Sequence, residues 1–117
     1  MAGPVDVVQR QFEAYNAHDL EGFLANFHDA VKSYRMPAVE PSIIGKVALR
    51  EFYATQRFNR PALKAELLSR IVLGNKVFDH ERITGLSDQP LEMVAVFEVV
   101  ALDHGGLIQT AWFYSGQ

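Results

Sequence analysis

The sequence predicts an α+β fold, with helices first and an antiparallel sheet afterwards. Three observations predict it. Up to about residue 58 apolar residues recur mostly at helical spacing. After Pro61 the period changes to two and stays there. The chain has 117 residues, 49% apolar and 21% charged, which suits one globular unit with a real core, expected to span residues 1–117.

The first helix is read from Val5, Val8, Phe12 and Tyr15, which make one stripe. Pro4 suits its first turn, and Asp6 favours the positive helix end. Asn16-Ala17-His18 breaks it. Asp19 is the expected N-cap of a short second helix burying Leu20, Phe23, Leu24 and Phe27. Residues 31–36 read as a strand stopped by Pro37. A loop with Pro41 leads to a third helix over about 45–58, where Leu49, Phe52, Tyr53 and Gln56 share a face and Arg50, Glu51 and Arg57 stay wet. Asn59-Arg60-Pro61 ends it.

Then Leu63, Ala65, Leu67, Ile71 and Leu73 alternate with Lys64, Glu66 and Arg70, one face buried and one wet. Gly74-Asn75 is a hairpin signal. Strands follow over 77–84, 91–102 and 107–115, separated by the loop 85–90 and the turn 103–106. No repeat, linker or low-complexity tract divides the chain.

Composition excludes several functions. Net charge is −3, and the 11 basic residues form no stripe, so nucleic acid is not an expected partner. There is no cysteine, hence no disulfide, thiolate ligand or cysteine nucleophile. The start of the chain lacks the pattern of a signal peptide, and no apolar run approaches the ~20 residues that span a bilayer. No membrane partner is expected, and a cytoplasmic location is. His18, His28, His80 and His104 form no ligand pair, and no phosphate loop, dinucleotide fingerprint or nucleophile elbow is present. No metal and no cofactor are expected.

Three stretches carry a resemblance. They are Val8-Gln9-Arg10 through Tyr15-Asn16-Ala17-His18-Asp19-Leu20, Gly45 through Arg50-Glu51-Phe52-Tyr53-Ala54, and Gly106-Leu107-Ile108 to Trp112-Phe113. Together they resemble the nuclear transport factor 2-like superfamily, in particular its SnoaL-like and ketosteroid-isomerase-like branch. The resemblance covers essentially the whole chain. It implies a cone-shaped, cystatin-like domain, three helices on a strongly curved, mainly antiparallel sheet, with a small-molecule cavity at the wide end. By that comparison Tyr15, Tyr34, Met36, Phe52, Ala95, Phe97, Thr110, Trp112 and Tyr114 face inward, where plain core packing is the alternative role of each aromatic. The resemblance also implies a homodimer through the outer sheet face, where Leu68, Val72, Val94, Val96 and Val100 are expected.

The isomerase chemistry needs a tyrosine, a carboxylate base and a protonated aspartic acid. The matching positions here are Gln11, Met36 and Ala95, so a classical ketosteroid isomerase is not implied. In Val77-Phe78-Asp79-His80-Glu81-Arg82-Ile83 alternate residues share a face. The family comparison turns Val77, Asp79, Glu81 and Ile83 inward. Two carboxylates among apolar neighbours repel each other and are poorly solvated, which makes Asp79 and Glu81 candidates for acid–base work. The plainer reading is that they bind Lys or Arg groups, or that the sheet face is reversed and they are solvated. On reversed parity His80 and Arg82 enter the cavity instead, whereas on the preferred parity Arg82 faces out toward Glu92 or Glu98.

The expected function is therefore binding of a small apolar molecule, with cofactor-free isomerase, cyclase or lyase chemistry at Glu81 and Asp79. A non-catalytic binding module or a dimerisation module is the alternative reading of the same scaffold.

Overall fold

A computed structural model describes residues 3–116. Met1, Ala2 and Gln117, the ends of the expected 1–117 unit, lie outside the described residues. Helix α1 (Pro4–Asn16) starts with Pro4 in its first turn and Asp6 accepting from the Gly3 N–H at 2.6 Å. Its inner face carries Val7, Val8 and Gln11. Helix α2 (Leu20–Leu24) is capped by Asp19, which accepts from the Gly22 N–H at 3.0 Å. A Cβ on Gly22 would meet that carboxylate at 2.3 Å, so a larger residue there would make the Asp19 side chain shift. The helix ends before Phe27, which opens strand β1 (Phe27–Arg35).

Next come the two-residue strand β2 (Ile43–Ile44), too short to leave a periodic signal, and helix α3 (Lys46–Gln56). The long strands follow: β3 (Lys64–Leu73), β4 (Lys76–Thr84), β5 (Leu91–Val100) and, after a 3₁₀ turn, β6 (Leu107–Ser115). They form one sheet in the order β2-β1-β6-β5-β4-β3, antiparallel except for the β1–β6 pair. The helices pack on its concave face.

Asn16 ties helix to sheet. Its side chain donates to the Ala65 carbonyl at 2.9 Å and accepts from the Ala65 N–H at 2.7 Å, satisfying part of the β3 edge. His18 reaches the Leu63 carbonyl at 2.8 Å. These bonds explain the polar break that follows α1.

Two bulges decide which residues face inward. In β3 the register slips at Leu68, which is left without a partner. Leu63, Ala65 and Leu67 point in before it, but Arg70 and Val72 do so after it. Ile71 and Leu73, expected inside, are therefore 65% and 72% exposed on the outer face. In β6 the slip falls at Gln109, between the Val99↔Ile108 and Glu98↔Thr110 pairs. Ile108 is fully buried, yet beyond the bulge Ala111, Phe113 and Ser115 carry the inner face.

The outer face consequently differs from expectation. Val94, Val96 and Val100 are on it. Val72 pairs with inward Val77 and belongs to the inner face. An apolar band instead crosses five strands in register: Tyr34, Trp112, Val96, Phe78 and Ile71. Arg82 faces out, but its partner is Glu66 at 3.3 Å, while Glu92 pairs with His80 at 2.6 Å and Glu98 with Lys76 at 3.4 Å.

Candidate functional site

One end of the cone is solid. Val7, Val8, Leu24, Val77, Val99 and Ile108 fill it. At the other end β1, α3, β4 and β6 finish and β5 begins. A cavity of about 230 Å³ remains there. Its walls are largely aromatic and aliphatic, with Tyr15, Phe52, Tyr53, Phe97 and Phe113 among them. The polar groups that open on it include Glu81, Gln11 and Ser33 inside and Arg35 and Arg57 toward the mouth.

Strand β4 places the two acids. It pairs with β5 without a slip, so strict alternation turns Val77, Asp79, Glu81 and Ile83 inward. Their roles then separate. The Asp79 side chain is completely buried and does not line the cavity. Arg70, opposite it on β3, donates to both its oxygens, from Nε at 2.6 Å and Nη2 at 2.9 Å. Arg70 Nη1 donates on to Gln9 of α1 at 2.8 Å. Asp79 is thus a fork-bound structural anion, the Arg-partner role that remained open for it, rather than a group facing ligand.

Glu81 lies two residues closer to the mouth and lines the cavity while only 7% exposed. Among the described residues none donates to its carboxyl. No fully buried side-chain oxygen is left unpaired either, so its oxygens open on the cavity. Burial pushes the carboxyl up to about 8, the Asp79 charge pushes the same way, and Arg70 pulls partly back. Burial likewise raises Tyr53 to about 12, and it raises Tyr15 with a further push from Tyr53. In both phenols the Arg57 charge pulls back against burial, and the Glu81 charge adds a smaller push upward. At neutral pH the interior therefore presents three protonated groups, of which Glu81 alone exchanges its proton near physiological pH.

Of the residues expected to bind ligand, Tyr15, Met36, Phe52 and Phe97 line the cavity. Tyr34, Thr110, Trp112 and Tyr114 do not. The bulge at Gln109 turns the last three outward, and Tyr34 pairs with Trp112 across the β1–β6 register and stacks on it, ring centroids 6.0 Å apart. Thr110 donates to Glu98 at 3.0 Å on the outer face, and Tyr114 is half exposed. Ala95 is buried between Asp79 and Phe113 in register, where its small side chain leaves room for both.

Sequence reasoning missed Arg35, Tyr53, Arg57 and Phe113 as lining residues. Tyr53 was legible as an inner-face residue of α3. Arg57 was not, because the helix ends at Gln56. The non-helical backbone of Arg57 (φ −133°, ψ −63°) returns its guanidinium over the Phe52 ring, 4.8 Å from the centroid.

Among the described residues no group of three His, Asp or Glu side chains is placed to hold a metal, and no helix is long and apolar enough to cross a membrane.

Residues 8–109 match a family model described as a SnoaL-like domain. Solved structures share the fold. A cystatin-fold protein from Novosphingobium aromaticivorans, uncharacterized, superposes with a TM-score of 0.83 at 20% identity, covering 97% of this chain and 98% of that one. A candidate ketosteroid isomerase from Kribbella flavida gives 0.78 at 19% identity, covering 95% and 76%. A candidate polyketide cyclase from Sinorhizobium meliloti gives 0.77 at 18% identity, covering 92% and 93%. No curated protein matches the sequence.

Proposed function

The chain belongs to the SnoaL-like domain family, and from that premise we propose that it is a cofactor-free enzyme moving a proton on a small, largely apolar carbonyl compound, with Glu81 as the acid–base group. The observation that supports this best is a nearly buried carboxyl, without a protein partner among the described residues, opening on an aromatic cavity. A pKa near neutrality suits both taking and returning a proton. In the proposed step the Glu81 carboxylate takes the proton α to the carbonyl. The C–H electron pair moves into the carbon–carbon bond and the carbonyl π pair onto oxygen. The Tyr15 and Tyr53 hydroxyls, neutral donors, face the charge that develops there. Glu81 then returns the proton to carbon.

2-Tetralone in D₂O is a suitable small carbon acid. The protein is expected to accelerate α-proton exchange, followed by NMR, and Glu81→Gln to lose at least about tenfold of that acceleration. No acceleration, or an unchanged rate in the variant, overturns the catalytic reading, and retained binding of 2-tetralone then favours the non-catalytic module.

The proposed enzyme is not a classical ketosteroid isomerase. Gln11, Met36 and Ala95 stand where the resemblance requires tyrosine, base and aspartic acid, and methionine accepts no proton. A cavity of about 230 Å³ is also small beside ligand pockets of ~300–1,000 Å³. Purified protein is expected to leave a Δ5-3-ketosteroid unconverted above the buffer rate, and robust conversion refutes this.

We further propose a homodimer through the outer sheet face. The band Tyr34–Trp112–Val96–Phe78–Ile71 is flanked by polar pairs, the Lys76–Glu98 ion pair on one side and His80 bonded to Glu92 on the other. An apolar centre with a mixed-charge rim complements a rotated copy of itself. Sedimentation equilibrium at micromolar concentration should give twice the 13.1 kDa chain mass, and Trp112→Glu should give the monomer. A wild-type monomer rules the dimer out.

A further inference from the structure

The cavity mouth carries two guanidiniums that nothing in the proposed proton transfer uses. Arg35 ends β1 and Arg57 follows α3, so two elements that pack on each other each end in an arginine. Both sit over the same ring, Phe52, with guanidinium carbons 5.8 Å and 4.8 Å from its centroid. Such cation–π contacts hold the planar forks at the rim. Both residues line the cavity.

Six basic side chains pair with no carboxylate among the described residues, Arg10, Lys32, Arg35, Arg57, Arg60 and Lys64, and of these Arg35 and Arg57 are the two that line the cavity. Elsewhere Lys46, Arg50, Arg70, Lys76 and Arg82 each pair with a carboxylate. Arg57 donates to the neighbouring Gln56 carbonyl, at 2.9 Å, and its guanidinium lies near the neutral hydroxyl of Tyr15, which brings it no countercharge. The cavity's one carboxyl is Glu81, and the positive charge that offsets its burial is that of Arg70, not of the rim. In a chain of net charge −3, the mouth of its cavity is locally cationic. Two like charges on one ring repel, and an anion between them removes the repulsion.

We propose that the ligand carries an anionic group, a carboxylate or a chemically equivalent oxyanion, which Arg35 and Arg57 hold at the mouth while the apolar body enters toward Glu81. This deepens the proposed function by naming its substrate class, and it rests on the reading of the cavity as a binding site. A guanidinium fork matches a carboxylate in two parallel hydrogen bonds, and two forks would fix the ligand's direction as well as its charge. The anion then stays outside the poorly solvating interior, and the carbon to be deprotonated lies at the buried end.

A matched pair of fluorescent probes tests this. 2-Naphthoate and 2-naphthamide share shape and apolar body and differ in charge. Titrated at pH 6 and low salt, where Glu81 is protonated, the naphthoate should bind at least about tenfold tighter than the amide. In Arg35→Gln/Arg57→Gln that preference should vanish, with an unchanged far-UV circular dichroism spectrum and urea midpoint showing that the variant is folded. Equal binding of both probes to the wild type overturns the anion assignment and leaves the cavity reading standing. A preference that survives in the double variant overturns the role of the two arginines. Binding of neither probe overturns the cavity reading, and this inference with it.

Discussion

Glu81→Gln is expected to abolish a loss of stability that the wild type shows as pH rises from about 4.5 to 8. The unfolded chain releases the Glu81 proton near its model value, ~4.3. The folded chain holds it to about 8. Between those values the unfolded state binds fewer protons than the folded state, so unfolding becomes easier as pH increases. Below the window both states are protonated and Glu81 contributes nothing. Above it the full penalty is present, on the order of a few kcal/mol. Glutamine has nearly the shape of the protonated acid and no charge to desolvate. Wild type and variant should therefore have similar urea midpoints near pH 5 and diverge toward pH 8.5, with the variant more stable. Parallel curves over that range would place Glu81 in a solvated environment and remove the basis for its acid–base role.

The penalty has a structural origin that bears on function. The cone is filled where Val99 and Ile108 meet Val7 and hollow where Glu81 sits. A protein under selection for stability alone has no use for a carboxyl facing that hollow without a hydrogen-bond partner. A ligand that accepted or donated a hydrogen bond at Glu81 would recover part of the loss, so ligand binding and the protonation state of Glu81 should be coupled.

Strand β4 was legible because its pairing with β5 runs without a slip. Counting by two from Val77 reaches Asp79, Glu81 and Ile83 on one face in the sequence and in the fold alike. In β6 the same counting fails. Extended from buried Ile108 it points Thr110, Trp112 and Tyr114 inward, and the extra residue at Gln109 reverses all three. The bulge at Leu68 does the same to Ile71 and Leu73. Neither bulge has a glycine or proline to announce it. The helices were legible through Pro4, Asp19 and their apolar stripes, because caps and periodicity are local. The partners of Asp79 and Arg57 were not, because Arg70 meets Asp79 only through strand pairing and Arg57 reaches Phe52 only after its helix has ended. Alternation assigned the two acids to one face. Separating their roles required knowing which of them an arginine reaches.

That division gives the second large effect. Arg70→Met should destabilise the fold by ~3–5 kcal/mol, because it strands a fully buried carboxylate. Asp79 would lose both hydrogen bonds of the fork, and Gln9 the donor that ties α1 to β3. The methionine keeps the apolar stem and so separates loss of charge from loss of packing. Asp79→Asn in the same chain removes the stranded charge and should recover most of the loss, since the cost lies in an unpaired buried ion more than in the missing bridge. Urea denaturation of the wild type, both single variants and the double variant closes the cycle. If Arg70→Met costs less than about 1 kcal/mol, as an exposed pair would, or if Asp79→Asn fails to rescue it, then Asp79 is not the buried anion that Arg70 neutralises, and the distinction between a structural Asp79 and a working Glu81 falls with it.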